Sequence, residues 1–169
     1  MCYYEGDDKM RQFAGLTYEQ AVREYSQTVF SVCVMRLQNT ADAEDCYQNV
    51  FSKLYFKSPD FSDREHLKAW LIRVSVNECK NYIRKNRRAV PLDSVNEQAV
   101  EFDTSDVDMS WALMKTSVKY REVLYLYYCY NYKVSEIAKI LKLNESTVKT
   151  RLNRGRKLLK DIYGGENNG

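Results

Sequence analysis

Ser146, Thr147, Lys149, Thr150, Arg151, Asn153 and Arg154 fall within one short stretch, at spacings that let one helix present them together. Hydroxyls, amides and cations of this kind hydrogen-bond phosphate oxygens and base edges, which is binding chemistry rather than bond breaking. A second set, Trp70, Arg73, Asn77, Lys80, Arg84 and Arg87, recurs at three- and four-residue steps. A ring followed by a ladder of base suits a single nucleic-acid strand, because bases stack on rings while cations follow phosphates. Trp70 taken alone reads more simply as a core residue, and Arg84 to Arg88 as a solvated helix end favoured by the helix dipole. Catalysis and metal binding find little support. His66 is the one histidine, the five cysteines (2, 33, 46, 79, 129) form no CxxC pair, and the acids line helix faces without converging on His66. No catalytic residue, metal or cofactor is expected.

The first set needs a scaffold, and residues 134 to 162 supply one. Ile137, Ala138, Ile140 and Leu141 form the apolar face of a short helix; Val148, Leu152, Leu159 and Ile162 form that of a longer one. Lys142-Leu143-Asn144 is long enough only for a tight turn, and Asn144 is placed to cap the second helix. This is a helix-turn-helix pattern. Nine Lys or Arg against three acids between Lys133 and Tyr163 make its second helix basic. A solvated face on a helical bundle is the plain alternative; Ala138 before the turn, with Leu143 and Val148 placed to hold the two helices together, favours DNA.

The second set lies on a helix opened by Ser62 and Glu65 as a capping box. Its apolar residues form two strips, Leu67, Leu71 and Val74 on one side and Ala69, Ile72, Val76, Cys79 and Ile83 on the other. Two amphipathic helices precede it. One carries Tyr18, Val22, Tyr25, Val29, Val32 and Cys33. The other, capped by Thr40, carries Ala43, Cys46, Tyr47, Val50, Phe51, Leu54 and Tyr55, with an acidic outer face that its pattern alone reads as solvated. Between Ala89 and Met114 there are six acids and no base, directly after a run of cations. That shift marks a linker. Met109, Ala112, Leu113 and Thr116 then give a short helix, and Val123, Leu124, Leu126, Tyr127 and Tyr130 another.

The fold expected is all-α: two small helical domains joined by an acidic linker, the C-terminal one a four-helix unit with the helix-turn-helix. Its divisions are a flexible tail at 1–16, a first domain at 17–90, the linker at 91–107, a second domain at 108–164 and a tail at 165–169. On DNA the linker is expected to hold the two cationic helices apart; with DNA absent it is expected to fold back on a basic domain, and the sequence leaves the placement of the two domains in the free chain open. A net charge of +3 says less than its distribution. The start, MCYYEGDDKM, lacks a basic, apolar leader, and no run is long enough to span a membrane, so a reduced cytoplasmic protein is expected, with no membrane contact of its own.

These motifs together resemble the extracytoplasmic-function group of bacterial RNA polymerase sigma factors. Asp42-Ala43-Glu44-Asp45 with Gln48, Val50 and Phe51 looks like the family segment that docks on the clamp helices of the polymerase beta-prime subunit. Trp70-Leu71-Ile72-Arg73, Asn77 and the basic run through Arg88 look like the segment that opens and reads the minus-ten element. Tyr120-Arg121-Glu122-Val123-Leu124, Glu136-Ile137-Ala138 and Thr147-Val148-Lys149 with Arg151, Leu152 and Arg154 look like the minus-thirty-five module. The resemblance implies polymerase contacts at Asp42, Glu44, Asp45, Gln48 and Asn49. It implies minus-ten contacts at Trp70, Arg73, Asn77, Lys80, Arg84, Arg87 and Arg88, with the loop from Ser58 to Arg64 holding a flipped base. Upstream-duplex contacts fall at Ser146, Thr147, Lys149, Thr150, Arg151, Asn153 and Arg154. It further implies core polymerase (including its beta subunit) and promoter DNA as partners, with an anti-sigma factor in control. This chain departs from the family at Thr116-Ser117 (usually Leu-Pro), at Lys133 (usually a hydroxyl cap), at Lys142 (often glycine) and at Val76 (often arginine).

Two rival readings are a dimeric helix-turn-helix activator, which leaves the strip from Trp70 to Arg87 idle and predicts palindromic sites, and a helical adaptor that binds only proteins.

Overall fold

The computed structural model describes residues 11–86 and 107–166. Among the described residues the regular structure is helical: α1 (Tyr18–Leu37), α2 (Thr40–Lys57), α3 (Arg64–Asn86), α4 (Val107–Lys115), α5 (Val118–Tyr128), α6 (Val134–Leu141) and α7 (Glu145–Glu166). The all-α expectation therefore stands. Arg87, Arg88 and the expected linker at 91–107, except for Val107 at the start of α4, lie outside the described residues.

Local chemistry sets most helix starts. The Thr17 hydroxyl accepts from the Gln20 N–H while the Gln20 side chain accepts from the Thr17 N–H, a reciprocal capping box that opens α1. Asn39 caps α2, accepting from the Asp42 N–H at 3.0 Å, so the cap sits one residue before the expected Thr40. The Ser62–Glu65 box does not form. Asp63 takes that role instead: its carboxylate accepts from the His66 N–H at 2.8 Å, and the Ser62 hydroxyl is spent on Asp63. Lys133 has no hydroxyl to offer α6, and the Glu136 carboxylate compensates by accepting from the Lys133 N–H at 2.7 Å.

Two hydrophobic cores result. In the first, Val29 and Cys33 of α1, Val50 and Leu54 of α2 and Leu67 and Leu71 of α3 pack together. Cys33, Cys46 and Cys79, one from each helix, meet there; hydrogen bonding with Cys79 and burial push the Cys46 thiol up, keeping it protonated. The second core gathers Leu124, Leu126, Ile137, Leu141, Val148 and Leu152 from α5, α6 and α7.

The second core also takes in Val32 and Met35 of α1 and Ile72 and Val76 of α3. α1 packs on α5 and α3 on α6. The placement of the two halves in the free chain, which the sequence left open, is one of direct packing. The physical reason was visible in α3: it carries two apolar strips, and its own half covers Leu67, Leu71 and Cys79 but not Ile72 or Val76. The other half covers Ile72 and Val76, and each such side chain contributes about 1.5–3 kcal/mol when fully buried.

The expected tail at 1–16 is also corrected for residues 11–16. Phe13 and Leu16 are buried in the first core and bridge each other's backbones. The Arg11 guanidinium donates to the Tyr55 and Ser58 carbonyls at the carboxyl end of α2, where the helix dipole favours a cation. At the other terminus α7 runs through Glu166, so residues 165 and 166 of the expected tail at 165–169 are helical.

Candidate nucleic-acid interface

Helix α7 is presented by a close approach to α5. Gly155 lies against Leu124, and a Cβ there would stand 2.8 Å from a Leu124 methyl. Val148, Leu152 and Leu159 bury the same side of the helix. The turn before α7 depends on Lys142 in a left-handed conformation (φ 55°), which lets the Leu143 N–H reach the Ala138 carbonyl at 2.9 Å. The seven residues singled out on α7 then divide cleanly. Ser146, Lys149, Thr150, Asn153 and Arg154 are exposed, and Thr147 and Arg151 are half-buried. Ser146, Thr147, Thr150, Arg151 and Arg154 line a shallow groove of about 350 Å³ together with Lys119 and Tyr120 of α5. Lys119 and Tyr120 were not singled out as binding residues in the sequence, although they stand beside the Arg121-Glu122 pair that was noticed.

Arg151 is tied down. Its guanidinium reaches the Glu122 carboxylate at 3.1 Å, and the other oxygen of Glu122 pairs with Arg36 of α1. Next to it, Arg121 is buried with carbonyls for partners: Leu113 at 3.0 Å, Thr116 at 2.6 Å and, across the two halves, Met35 at 2.6 Å. Loss of solvent, with Arg36 nearby, pushes the Arg121 guanidinium down to about 10, still cationic at neutral pH.

The strip on α3 is more constrained. Trp70 is half-buried, with its ring 5.6 Å from Phe61, so it belongs in part to the first core. Arg73 and Asn77 are half-buried, and the Arg73 Nε is fully enclosed without an acceptor. Lys80 reaches the surface, yet partial desolvation lowers its ammonium from the ordinary value. Arg84 is exposed. Lys80 and Arg84 border a groove between α2 and α3 of about 470 Å³, which Lys53, Glu78 and Asn81 also line. The groove continues past Asn49, Phe56 and Lys57. Lys53 pairs with Glu78 inside it. The sequence pattern missed Lys53, Phe56 and Lys57, and placed Tyr55 on the core face although it is half-exposed beside Phe56.

On α2, Glu44, Asp45, Gln48 and Asn49 are exposed on one outer face. Asp42 is half-buried, its carboxylate accepting from the Tyr82 hydroxyl of α3 at 2.5 Å, a bond that raises Tyr82 to about 12. Asp42 thus ties α2 to α3. Of the five acidic-face residues, four are free of such a structural bond.

Comparison with known proteins agrees with this geometry. The sigma-70 region 2 family model matches residues 21–89, and the sigma-70 region 4 model matches residues 112–159. Among curated relatives, the ECF RNA polymerase sigma factor SigW of Bacillus subtilis is 28% identical over 80% of this chain and 83% of its own length. SigM of the same organism, also an ECF sigma factor, is 26% identical over 88% of this chain and 96% of its own length. Among solved structures, the sigma factor RpoE in complex with the anti-sigma factor NepR from Bartonella quintana superposes with a TM-score of 0.71 at 24% identity, covering 87% of this chain and 96% of that one. CnrH in complex with the cytosolic domain of CnrY gives 0.61 at 20% identity, covering 88% of each chain. With both sigma-70 regions matched in order over most of its length, this chain belongs to the extracytoplasmic-function group of RNA polymerase sigma factors.

Proposed function

We propose that the two faces divide promoter recognition between them. The first unit, 17–90, docks on core polymerase through Asp42, Glu44, Asp45, Gln48 and Asn49 of α2. It takes the unpaired minus-ten strand along Trp70, Arg73, Asn77, Lys80 and Arg84, with Arg87 and Arg88 extending the strip. The second unit, 108–164, enters the upstream major groove with Ser146, Thr147, Lys149, Thr150, Arg151, Asn153 and Arg154. Phosphate contacts from the cations supply most of the affinity, and the amides and hydroxyls contribute base selection. Each contact is weak alone; joined in one chain, the second benefits from the effective concentration set by the first. The observation that carries this reading is the exposed donor face of α7 on a helix-turn-helix, in the same chain as a second basic groove beside an acidic face. The protein acts as an initiation factor and not as an enzyme. It works in the cytoplasm, and an anti-sigma factor controls it; the similar RpoE of Bartonella quintana is bound in its crystal to the anti-sigma factor NepR.

The test is run-off transcription with purified core polymerase and a genomic library of templates. Discrete start sites in the absence of any other sigma factor are expected. A dimeric activator would yield none, and neither would a protein-only adaptor.

A further inference from the structure

Helix α2 ends in a way that leaves backbone carbonyls without their usual donors. The Tyr55 carbonyl would be met, one turn on, by the N–H of residue 59, and residue 59 is proline, which has none. Ser58, just before it, is extended at φ −74° and ψ 150°, as the residue preceding a proline tends to be, so its carbonyl opens the loop instead of continuing the helix. The Ser58 hydroxyl donates to the Leu54 carbonyl at 2.7 Å. The Tyr55 and Ser58 carbonyls are met by Arg11, whose guanidinium donates to both, at 3.0 Å for Tyr55.

Arg11 is held in place for this. Phe13 and Leu16 are buried in the first core, and Ala14 and Gly15 make the tight turn between them at φ 53° and 81°. The guanidinium lies 5.4 Å from the centre of the Phe13 ring. Residues 11–16 thus form a hook, with two apolar side chains sunk into the core and one cation laid on the end of α2.

The two carbonyls flank the point where α2 passes into the loop that leads to α3. The far end of that loop is tied to α1: Arg64 pairs with Glu24 at 2.8 Å, and the Tyr25 hydroxyl donates to the Arg64 carbonyl at 3.4 Å. Between the two anchors Pro59 and Asp60 are exposed, and the Phe61 ring stands 5.4 Å from His66 and 5.6 Å from Trp70. Rings of this kind hold an unstacked base. Water would satisfy carbonyls at an exposed helix end; a forked cation from another segment fixes their direction as well.

We propose that Arg11 is a positioning residue for base capture: forked onto the Tyr55 and Ser58 carbonyls, it fixes the start of the 58–64 loop and so the place of Phe61 against Trp70. The proposal rests on the reading above that this loop holds a flipped minus-ten base. It adds control of base selection by a segment outside both reading faces.

The test uses holoenzyme, assembled from the full chain and core polymerase, with the non-template strand of a promoter found by run-off transcription. Each minus-ten base is replaced in turn by an abasic site, and strand affinity is read by fluorescence anisotropy. Ratios to the intact strand do not depend on the active fraction, so lost stability alone leaves their pattern unchanged. In wild type, removing the base that the loop holds weakens binding; Phe61→Ala should abolish that loss at its one position. Arg11→Ala should reduce the loss at the same position by roughly 3- to 10-fold, and at no other. Arg11→Lys keeps the charge at the helix end but lacks the fork, so it should restore less than half of the effect. An Arg11→Ala profile equal to wild type overturns the proposal. So does uniform weakening at every position with a salt slope lower by about 0.7, which would make Arg11 a phosphate contact. Full rescue by Arg11→Lys overturns it too, because charge alone would then suffice. Failure of the loop reading looks different: Phe61→Ala then alters no position, and the role of Arg11 falls with it.

Discussion

Helices α3 and α7 are both basic and both belong to reading faces, yet they are built on different terms. α7 buries one stripe, Val148, Leu152, Gly155 and Leu159, and exposes the rest. α3 is packed on two sides, with Leu67, Leu71 and Cys79 in the first core and Ile72 and Val76 in the second. Its polar strip runs between those packed sides, which is why Trp70, Arg73 and Asn77 are half-buried. A helix with one packed side separates stability from recognition. A helix with two packed sides combines them, and changes to its polar strip disturb the fold as well as the contact.

Core truncation on α3 should have the largest effect and tests whether its two strips differ. Leu71→Ala leaves a cavity within one half and should cost about 2–5 kcal/mol in urea unfolding. Ile72→Ala lies where the halves meet, so its loss should be clearly smaller. Equal losses would mean that both strips serve one cooperative core, and the comparison would fail. Next comes Gly155→Val. The Leu124 side chain it would strike is fully buried and has nowhere to turn, so overpacking should cost about 1–3 kcal/mol. In Gly155→Ala the same clash is offset by a helix-propensity gain of about 1 kcal/mol, and the loss should shrink. A Gly155→Val protein as stable as wild type would show that α7 does not depend on close approach.

Arg154→Ala separates recognition from stability on α7. Its side chain is exposed and borders the α5–α7 groove. Duplex affinity should fall by about 1–3 kcal/mol and the salt slope by about 1 if the contact is to phosphate. Stability should stay within about 0.5 kcal/mol of wild type. The corresponding change on α3, Arg73→Ala, should alter both quantities because its guanidinium is partly enclosed. An Arg73→Ala melting curve identical to wild type would remove the distinction between the helices.

The sequence made the helices legible because apolar residues at three- and four-residue spacing leave little alternative, and the α7 face was legible for the same reason. Cap identity was less so. Asn39 and Thr40 are both good caps, and only the backbone geometry at Asn39 decides between them. Asp63 displaced Ser62 because a carboxylate is a stronger acceptor than a hydroxyl next to it. The burial of Phe13 and Leu16 was hidden because two apolar residues in a polar segment show no period. The contact between the halves was hidden for another reason. The second apolar strip on α3 was seen, but nothing in one-dimensional spacing names the surface that covers it. Arg36, Glu122 and Arg151 are far apart in sequence and meet only through that packing. Their pairing has no local signature.

The smallest predicted effect concerns the turn that aims α7. Lys142 holds φ 55° and ψ 51°, a conformation that crowds Cβ against the backbone and costs a non-glycine residue about 1–2 kcal/mol. The geometry is nonetheless required, since it carries the Leu143 N–H to the Ala138 carbonyl and sets the angle between α6 and α7. Lys142→Gly removes the crowding but gives the unfolded chain more freedom, which returns part of the gain. The net should be a stabilisation of about 1 kcal/mol, seen as a rise of about 2–4 °C in the unfolding midpoint for a chain of this size. Lys142 is exposed and outside the α5–α7 groove, so affinity for duplex should hardly change. A rise in midpoint with constant affinity would show α7 separating stability from recognition even at its own hinge. A lowered midpoint would show that the lysine side chain supports the turn it strains, and α7 would then resemble α3 more than its exposed face implies.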